Sequence, residues 1–276
     1  MKTISNFFDG KLITSESTDK LPLYKPTTGE EYAQIPVTTD KEFKLIIDKM
    51  KNAQISWANT PVTKRSVILF KFKSLIEKNF DEIARIISEE HGKVFSDAKG
   101  SLQRGLEVVD FACGIPHLLK GNHSINVGTN VDLFDIKQPL GICAGITPFN
   151  FPAMVPMWMF PMAIACGNVF ILKPSEKVPQ CSLKLGELLH EAGLPENVLT
   201  IVNGDKRVVD NILQSPDIAS VSFVGSTPVA KYIYTECAKY NKRVQALGGA
   251  KNHMLIMEDA NSVSYTHLTL PTKRIV

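Results

Sequence analysis

From Gln138 to Leu172 the chain carries no charged residue, which leaves two broad possibilities: a membrane span or the centre of a large soluble core. A helix needs ~20 apolar residues to cross a bilayer, so length alone permits the first. The interior of the stretch argues for the second. Pro139, Pro148, Pro152, Pro156 and Pro161, with Gly141, Gly145, Asn150, Gly167 and Asn168, would break a lipid-exposed helix repeatedly and leave backbone groups unpaired in hydrocarbon. The stretch reads as protein interior, and no membrane partner is expected.

A chain of 276 residues, 44% of them hydrophobic, is long enough to build one large core or two modest ones around such a segment. After Pro139, short apolar runs alternate with helix-like segments, the pattern of a parallel sheet with crossover helices. The candidate strands are Leu140 to Thr147, Asn168 to Leu172, Val198 to Val202, Ala219 to Phe223 and the neighbourhood of Val244. Helices are expected between them at Ala153 to Ala165, Pro179 to Ala192, Arg207 to Gln214 and Thr227 to Tyr240. Right-handed crossovers make this a doubly wound, Rossmann-like α/β sheet.

The sequence ahead of the sheet is helical in pattern. Thr39 and Glu42 form a capping box before a stripe of Phe43, Ile46, Ile47, Met50 and Ala53. Thr60-Pro61 opens a second helix carrying Ile68, Phe72, Leu75, Ile76, Ile83 and Ile87, which should end near Gly92. A third helix is expected from about Phe95 to Leu119, and Ser124 to Lys137 alternates enough for one or two strands.

Charge excludes one class of partner. With 31 basic and 28 acidic residues, lysines scattered among acids offer no concentrated field for a nucleic-acid backbone. The five cysteines, Cys113, Cys143, Cys166, Cys181 and Cys237, are odd in number and lack a C-x-x-C pair, which argues against a disulfide framework and suits a reducing compartment. No metal site is expected. Neither a secretory signal nor an Arg-rich transit peptide is visible in Met1 to Ser17, so the cytoplasm is the expected location.

A doubly wound sheet binds its ligand beyond the carboxyl ends of its strands, and three strand-to-helix junctions are informative. The usual G-x-G-x-x-G is absent. The first junction, Ile146-Thr147-Pro148-Phe149-Asn150-Phe151-Pro152, holds a side-chain amide between prolines, a preorganised donor for a developing oxyanion; taken alone, an Asn in such a turn more often satisfies local backbone groups. The second, Ile171-Leu172-Lys173-Pro174-Ser175-Glu176-Lys177, places a cation and a carboxylate where a nucleotide fold accepts ribose hydroxyls and repels a 2′-phosphate; alone it also reads as an exposed loop opening a helix. The third, Phe223-Val224-Gly225-Ser226-Thr227-Pro228, offers a glycine for close backbone approach and a serine to cap a helix whose free N–H groups attract phosphate, or merely to cap it.

In this order and spacing, PFNFP, ILKPSE and FVGST resemble the aldehyde dehydrogenase superfamily, from the N-terminus to about Ser262. The resemblance implies that Asn150 is the oxyanion-hole amide, that Lys173 and Glu176 bind the adenosine ribose of NAD, and that Gly225 and Ser226 approach the pyrophosphate. Thr147, Phe149, Ser175, Lys177 and Gly248 match neighbouring cofactor positions. Hydrolytic members carry a Glu in an E-L-G-G-K motif, the general base that activates water against the enzyme thioester. Here Gln245-Ala246-Leu247-Gly248-Gly249-Ala250-Lys251-Asn252-His253 has no carboxylate, which should leave the thioester to a thiol such as CoA.

That departure, with MVPMWMFPMAIACGN upstream, resembles the methylmalonate-semialdehyde dehydrogenase branch. The branch oxidises methylmalonate or malonate semialdehyde with NAD and CoA to propionyl-CoA or acetyl-CoA, losing carbon dioxide, and works as a dimer or tetramer. Arg104 matches its substrate-carboxylate position, although the residue equally suits a helix surface. The family's nucleophilic Cys follows an Arg in a C-terminal catalytic domain, and no such dipeptide occurs here. The expected organisation is therefore a helical part over 1–122, a β segment of the oligomerisation element over 123–137, an NAD-binding sheet over 138–263 and a non-native tail over 264–276. A hydrolytic aldehyde dehydrogenase and a non-catalytic NAD-binding module are the alternatives.

Overall fold

The computed structural model describes residues 2–253, 255 and 257–260, and in it five short strands precede the first helix. They are β1 (Lys2–Thr3), β2 (Asn6–Phe8), β3 (Lys11–Ile13), β4 (Lys20–Tyr24) and β5 (Glu31–Pro36). Then come α1 (Asp40–Ala58), α2 (Val62–Lys78), α3 (Phe80–His91), α4 (Phe95–Cys113) and the single turn α5 (Ile115–Leu118), followed by the strands β6 (His123–Gly128) and β7 (Val131–Phe134). The alternating half runs β8 (Ile142–Ile146), α6 (Met154–Ala165), β9 (Val169–Lys173), α7 (Pro179–Glu191), β10 (Leu199–Ile201), α8 (Lys206–Gln214), β11 (Ile218–Val224), α9 (Thr227–Lys239) and β12 (Arg243–Leu247).

All five expected sheet strands are present, in the order β12-β11-β8-β9-β10 and parallel throughout. Strand β8 comes first in sequence yet lies between β11 and β9, so the strand order reverses beside it and opens a crevice at the carboxyl edge. The uncharged stretch supplies β8, α6 and most of β9. All residues of β8 and β9 are buried, and no helix among the described residues is long and apolar enough to cross a membrane.

Three features depart from the periodicity, one of them a break at Gly114 that divides the expected third helix into α4 and the single turn α5. The second expected helix is two, α2 and α3, separated at Asn79, whose side-chain amide donates to the Leu75 carbonyl at 2.8 Å and ends the first helix. The region 1–122 is not purely helical: β2 and β3 add an antiparallel extension to the β10 edge, while β1, β5 and β4 form a separate sheet. A buried amide network fastens this extension. Asn6 Nδ2 donates to Thr38 Oγ1 at 2.9 Å and its Oδ1 accepts the Asn203 N–H at 2.8 Å, just beyond β10.

The N-terminal helices also hold the carboxyl end of α6, inside the uncharged segment. The capping box forms as expected, with Glu42 N–H on Thr39 Oγ1 at 3.2 Å and Thr39 N–H on Glu42 Oε2 at 2.8 Å. From α1, Trp57 donates to the Ile164 carbonyl at 3.1 Å, and Arg65 of α2 donates to the Ala165 carbonyl at 3.0 Å. Both carbonyls lie in the last turn of α6, where the i+4 donors run out, and the Ile164 carbonyl also takes the Gly167 N–H at 2.9 Å. The expected tail over 264–276 lies outside the described residues.

Candidate functional site

Sheet register brings the junctions together. Ile146 pairs with Lys173 and with Phe223, and Val224 pairs with Leu247, so the segments beginning at Thr147, Pro174, Gly225 and Gly248 leave the same edge side by side. Backbone bonds knit them: Thr147 N–H to the Lys173 carbonyl at 3.2 Å, and Gly225 N–H to the Leu247 carbonyl at 3.1 Å. Gly249 N–H reaches Thr227 Oγ1 at 3.0 Å, tying the segment after β12 to the first turn of α9.

At the second junction Lys173 is almost wholly withdrawn from water, with 6% of its side chain exposed, and its Nζ lies 3.1 Å from Glu176 Oε2. Burial pushes the Glu176 carboxyl up, but the Lys173 ammonium and further hydrogen bonds outweigh it and hold the group below the usual carboxylate range. The ion pair is a bound acceptor and donor side by side, suited to vicinal hydroxyls. Ser175 is buried and accepts the Lys177 N–H at 3.3 Å, so its hydroxyl shapes the turn. Lys177 is exposed, its Nζ 4.8 Å from the centre of the Phe149 ring.

At the third junction Ser226 is the N-cap of α9 in extended conformation, but its hydroxyl makes no capping bond. The first-turn N–H groups are therefore left without a side-chain cap, the arrangement that attracts a phosphate. Gly225 owes its place to a close approach: an added methyl group would run into the Phe223 ring. Its small size thus serves the packing of this turn as well as any ligand.

At the first junction Thr147 is buried, while Phe149 and Asn150 are exposed. The Asn150 carbonyl accepts from Lys93 Nζ at 2.9 Å, and that ammonium lies 4.4 Å from the centre of the Phe151 ring. Arg104 lies on the exposed side of α4, beside Gly105, where α4 approaches Met154 and Met157 of α6 so closely that no methyl group would fit. It forms no ion pair among the described residues. The structure thus gathers ten of the eleven expected site residues along one edge and leaves Arg104 on a neighbouring helix.

Three residues of this surroundings escape sequence reasoning: Glu90, His91 and Lys93. Glu90 is buried and accepts the N–H groups of Gln180 and Cys181 at 2.9 and 3.0 Å, while His91 stacks on Phe149 with ring centres 6.4 Å apart. Burial pushes the Glu90 carboxyl up to about 8 against the opposing pull of those two bonds. No local pattern marks these residues beyond their place at the end of a helix.

None of the cysteines is poised as a nucleophile. Cys113, Cys143, Cys181 and Cys237 are buried and Cys166 partly so, and burial is the main cause that raises every one of these thiols above its ordinary value, Cys113 and Cys237 to about 11. A reactive thiolate needs the opposite setting.

Comparison with known proteins gives a consistent picture. Residues 12–270 match the Aldehyde dehydrogenase family. The chain is 51% identical over 261 residues to a malonate-semialdehyde dehydrogenase of Pseudomonas aeruginosa, an alignment covering 95% of this chain and 52% of that protein. It is 47% identical over 258 residues to the mitochondrial methylmalonate-semialdehyde dehydrogenase [acylating] of Arabidopsis thaliana, covering 94% of this chain and 42% of the other. Among solved structures it is similar to one from Sinorhizobium meliloti 1021, assigned as a methylmalonate-semialdehyde dehydrogenase and complexed with NAD. That similarity has a TM-score of 0.92 and 48% identity over 97% of this chain and 54% of that one. The chain spans about half the length of the curated relatives it matches.

Proposed function

The chain belongs to the aldehyde dehydrogenase family, and on that premise we propose that it supplies the cofactor site of an NAD-linked, CoA-acylating dehydrogenase acting on malonate or methylmalonate semialdehyde. The observation that carries the proposal is the convergence of four strand-end segments on one edge of the sheet, where the donors and acceptors fit a dinucleotide. Lys173 and Glu176 would take the ribose hydroxyls, and the open first turn of α9 at Ser226 the pyrophosphate. Thr147, Phe149, Ser175, Lys177, Gly225 and Gly248 would line the rest. When bound, NAD accepts a hydride from the carbon being oxidised.

The remaining roles fall to this chain's side chains. The Asn150 amide donates to the aldehyde oxygen as negative charge gathers there, which favours the transition state over the ground state. Arg104 pairs with the substrate carboxylate, a task its planar guanidinium suits. The absence of a carboxylate from Gln245 to His253 withholds a base from water and favours a thiol, CoA, as the acyl acceptor. The names of the similar proteins support the substrate class. Buried thiols favour placing the nucleophile outside these 276 residues, so that this chain by itself is a non-catalytic NAD-binding module.

The test is NADH formation from malonate semialdehyde by a full-length protein containing this sequence, with and without CoA, alongside the 276-residue chain. Turnover that depends on CoA in the longer protein and none in the shorter is expected. Equal rates without CoA would point to the hydrolytic alternative, and turnover by the short chain would show that one of its own cysteines acts.

A further inference from the structure

The end of α3 and the turn after it meet the turn that carries Asn150 and the first turn of α7, which follows the segment bearing Ser175, Glu176 and Lys177. Helix α3 stops at Gly92, whose backbone is left-handed (φ 85°) and whose N–H returns to the Ser88 carbonyl at 2.8 Å. That stop turns successive side chains in different directions. Glu90 reaches the first turn of α7, where its two carboxyl oxygens accept the Gln180 and Cys181 N–H groups. Helix α7 has no side-chain cap of its own, so a residue of another helix does the capping. Because residues 174–178 join β9 to α7, fixing that first turn fixes the end of the loop that bears Ser175, Glu176 and Lys177.

His91 stacks on the Phe149 ring, which Lys177 also approaches. Lys93, with only 7% of its side chain exposed, donates to the Asn150 carbonyl, lies over Phe151 and stands 3.8 Å from Asp97. Burying an ammonium costs stability that a Met or Leu in the same place would not. The cost is met by holding one backbone carbonyl of a turn whose prolines leave it few bonds of its own.

We propose that residues 90–93 clamp the two loops in register, with Lys93 the positioning residue for Asn150 and Glu90 the positioning residue for the Ser175–Lys177 turn. The consequence for function rests on reading these loops as the cofactor and oxyanion site; the clamp itself does not. Neither residue touches a reacting atom. Lys93 acts through a carbonyl, so its loss moves the Asn150 amide without removing it.

The experiment uses the isotope-labelled 276-residue chain without NAD, as wild type, Lys93→Met, Lys93→Arg and Glu90→Gln. In Lys93→Met the side-chain amide signals of Asn150 are expected to move, and Lys93→Arg, which keeps a charged donor, to restore them in part. In Glu90→Gln the Gln180 and Cys181 amides are expected to exchange at least about tenfold faster, with the signals of residues 175–177 displaced. Lys93→Gln replaces Lys93→Met if the latter does not fold, and the same signals are read. Folded variants in which Asn150 and residues 175–177 stay unmoved would overturn the clamp. Titrating NAD into the wild type tests the underlying reading separately: failure to bind would remove the cofactor site while leaving the signal shifts to decide the clamp.

Discussion

Lys173 is a lysine that should be costly where it stands, and its only ion-pair partner among the described residues is Glu176. Replacing Glu176 with Gln strands a buried ammonium and removes the acid that would repel a 2′-phosphate. NAD affinity measured by calorimetric titration is expected to fall about tenfold in Glu176→Gln, with the preference for NAD over NADP narrowed; unchanged affinity would remove Glu176 from the site. Glu90 gives a prediction about pH. Its carboxyl holds a proton up to about 8 in the fold, above the ordinary 4.5, because of burial, and it faces Tyr32, itself raised to about 12 by burial and by Glu90. A group whose folded value is raised contributes stability that is whole below the unfolded value and lost as pH climbs through the folded one. The wild type should therefore lose stability from about pH 5 to about pH 8.5 relative to Glu90→Gln, which has no proton to release, as read by urea unfolding. Equal losses in the two proteins would show that Glu90 ionises as freely in the fold as outside it. At this scale the sequence revealed residues whose roles are local. Lys173, Ser175, Glu176 and Lys177 follow one strand, and Asn150 stands in one proline-rich turn. It concealed Lys93 and Glu90, because their partners lie 57 and 90 residues away and no spacing rule connects them.

Elements were legible where they carry their own signal. The capping box at Thr39 and Glu42 and the five-residue buried runs of β8 and β9 formed within a residue or two of expectation. Replacing Thr39 with Ala removes the hydroxyl half of that box, leaving the backbone N–H on Glu42, and should cost about 0.5–2 kcal/mol in chemical denaturation; no loss would mean that this N–H, with Ser15 and the Glu16 N–H, which also bind Glu42, carries the start of α1 without the hydroxyl. Strands of two or three residues such as β1, β2 and β3 carry no periodicity to read. β2, and β3 beside it, exist because Phe7 pairs with Ile201 and Asn6 binds Asn203, and β1 because Lys2 pairs with Ala33, contacts made only once the sheets are present. The break at Asn79 was hidden for a similar reason, since the apolar stripe continues across it and only the side-chain bond to Leu75 shows the stop.

For the molecule as a whole, the apolar residues left outside the core are concentrated on β6, β7 and the chain after them. Ile125, Val127, Val131, Leu133 and Phe134, on a two-stranded hairpin that pairs with no other strand among the described residues, and Ile136 just after it are all more than half exposed. An isolated hairpin is marginal in water, and a contiguous apolar patch marks an interface. We propose this patch as a contact between copies of the longer protein, and Val127→Lys with Leu133→Lys should then lower its mass in sedimentation; an unchanged mass would remove the patch from any such contact. If this chain holds an NAD site without the nucleophile that site serves, calorimetric titration of NAD into the purified 276-residue chain will show it. Saturable binding of one NAD per chain, weakened when Lys173 is replaced with Met and leaving the five thiols unreactive toward aldehyde, is the predicted result. Absence of saturable binding by a folded chain, or binding indifferent to Lys173, would contradict it.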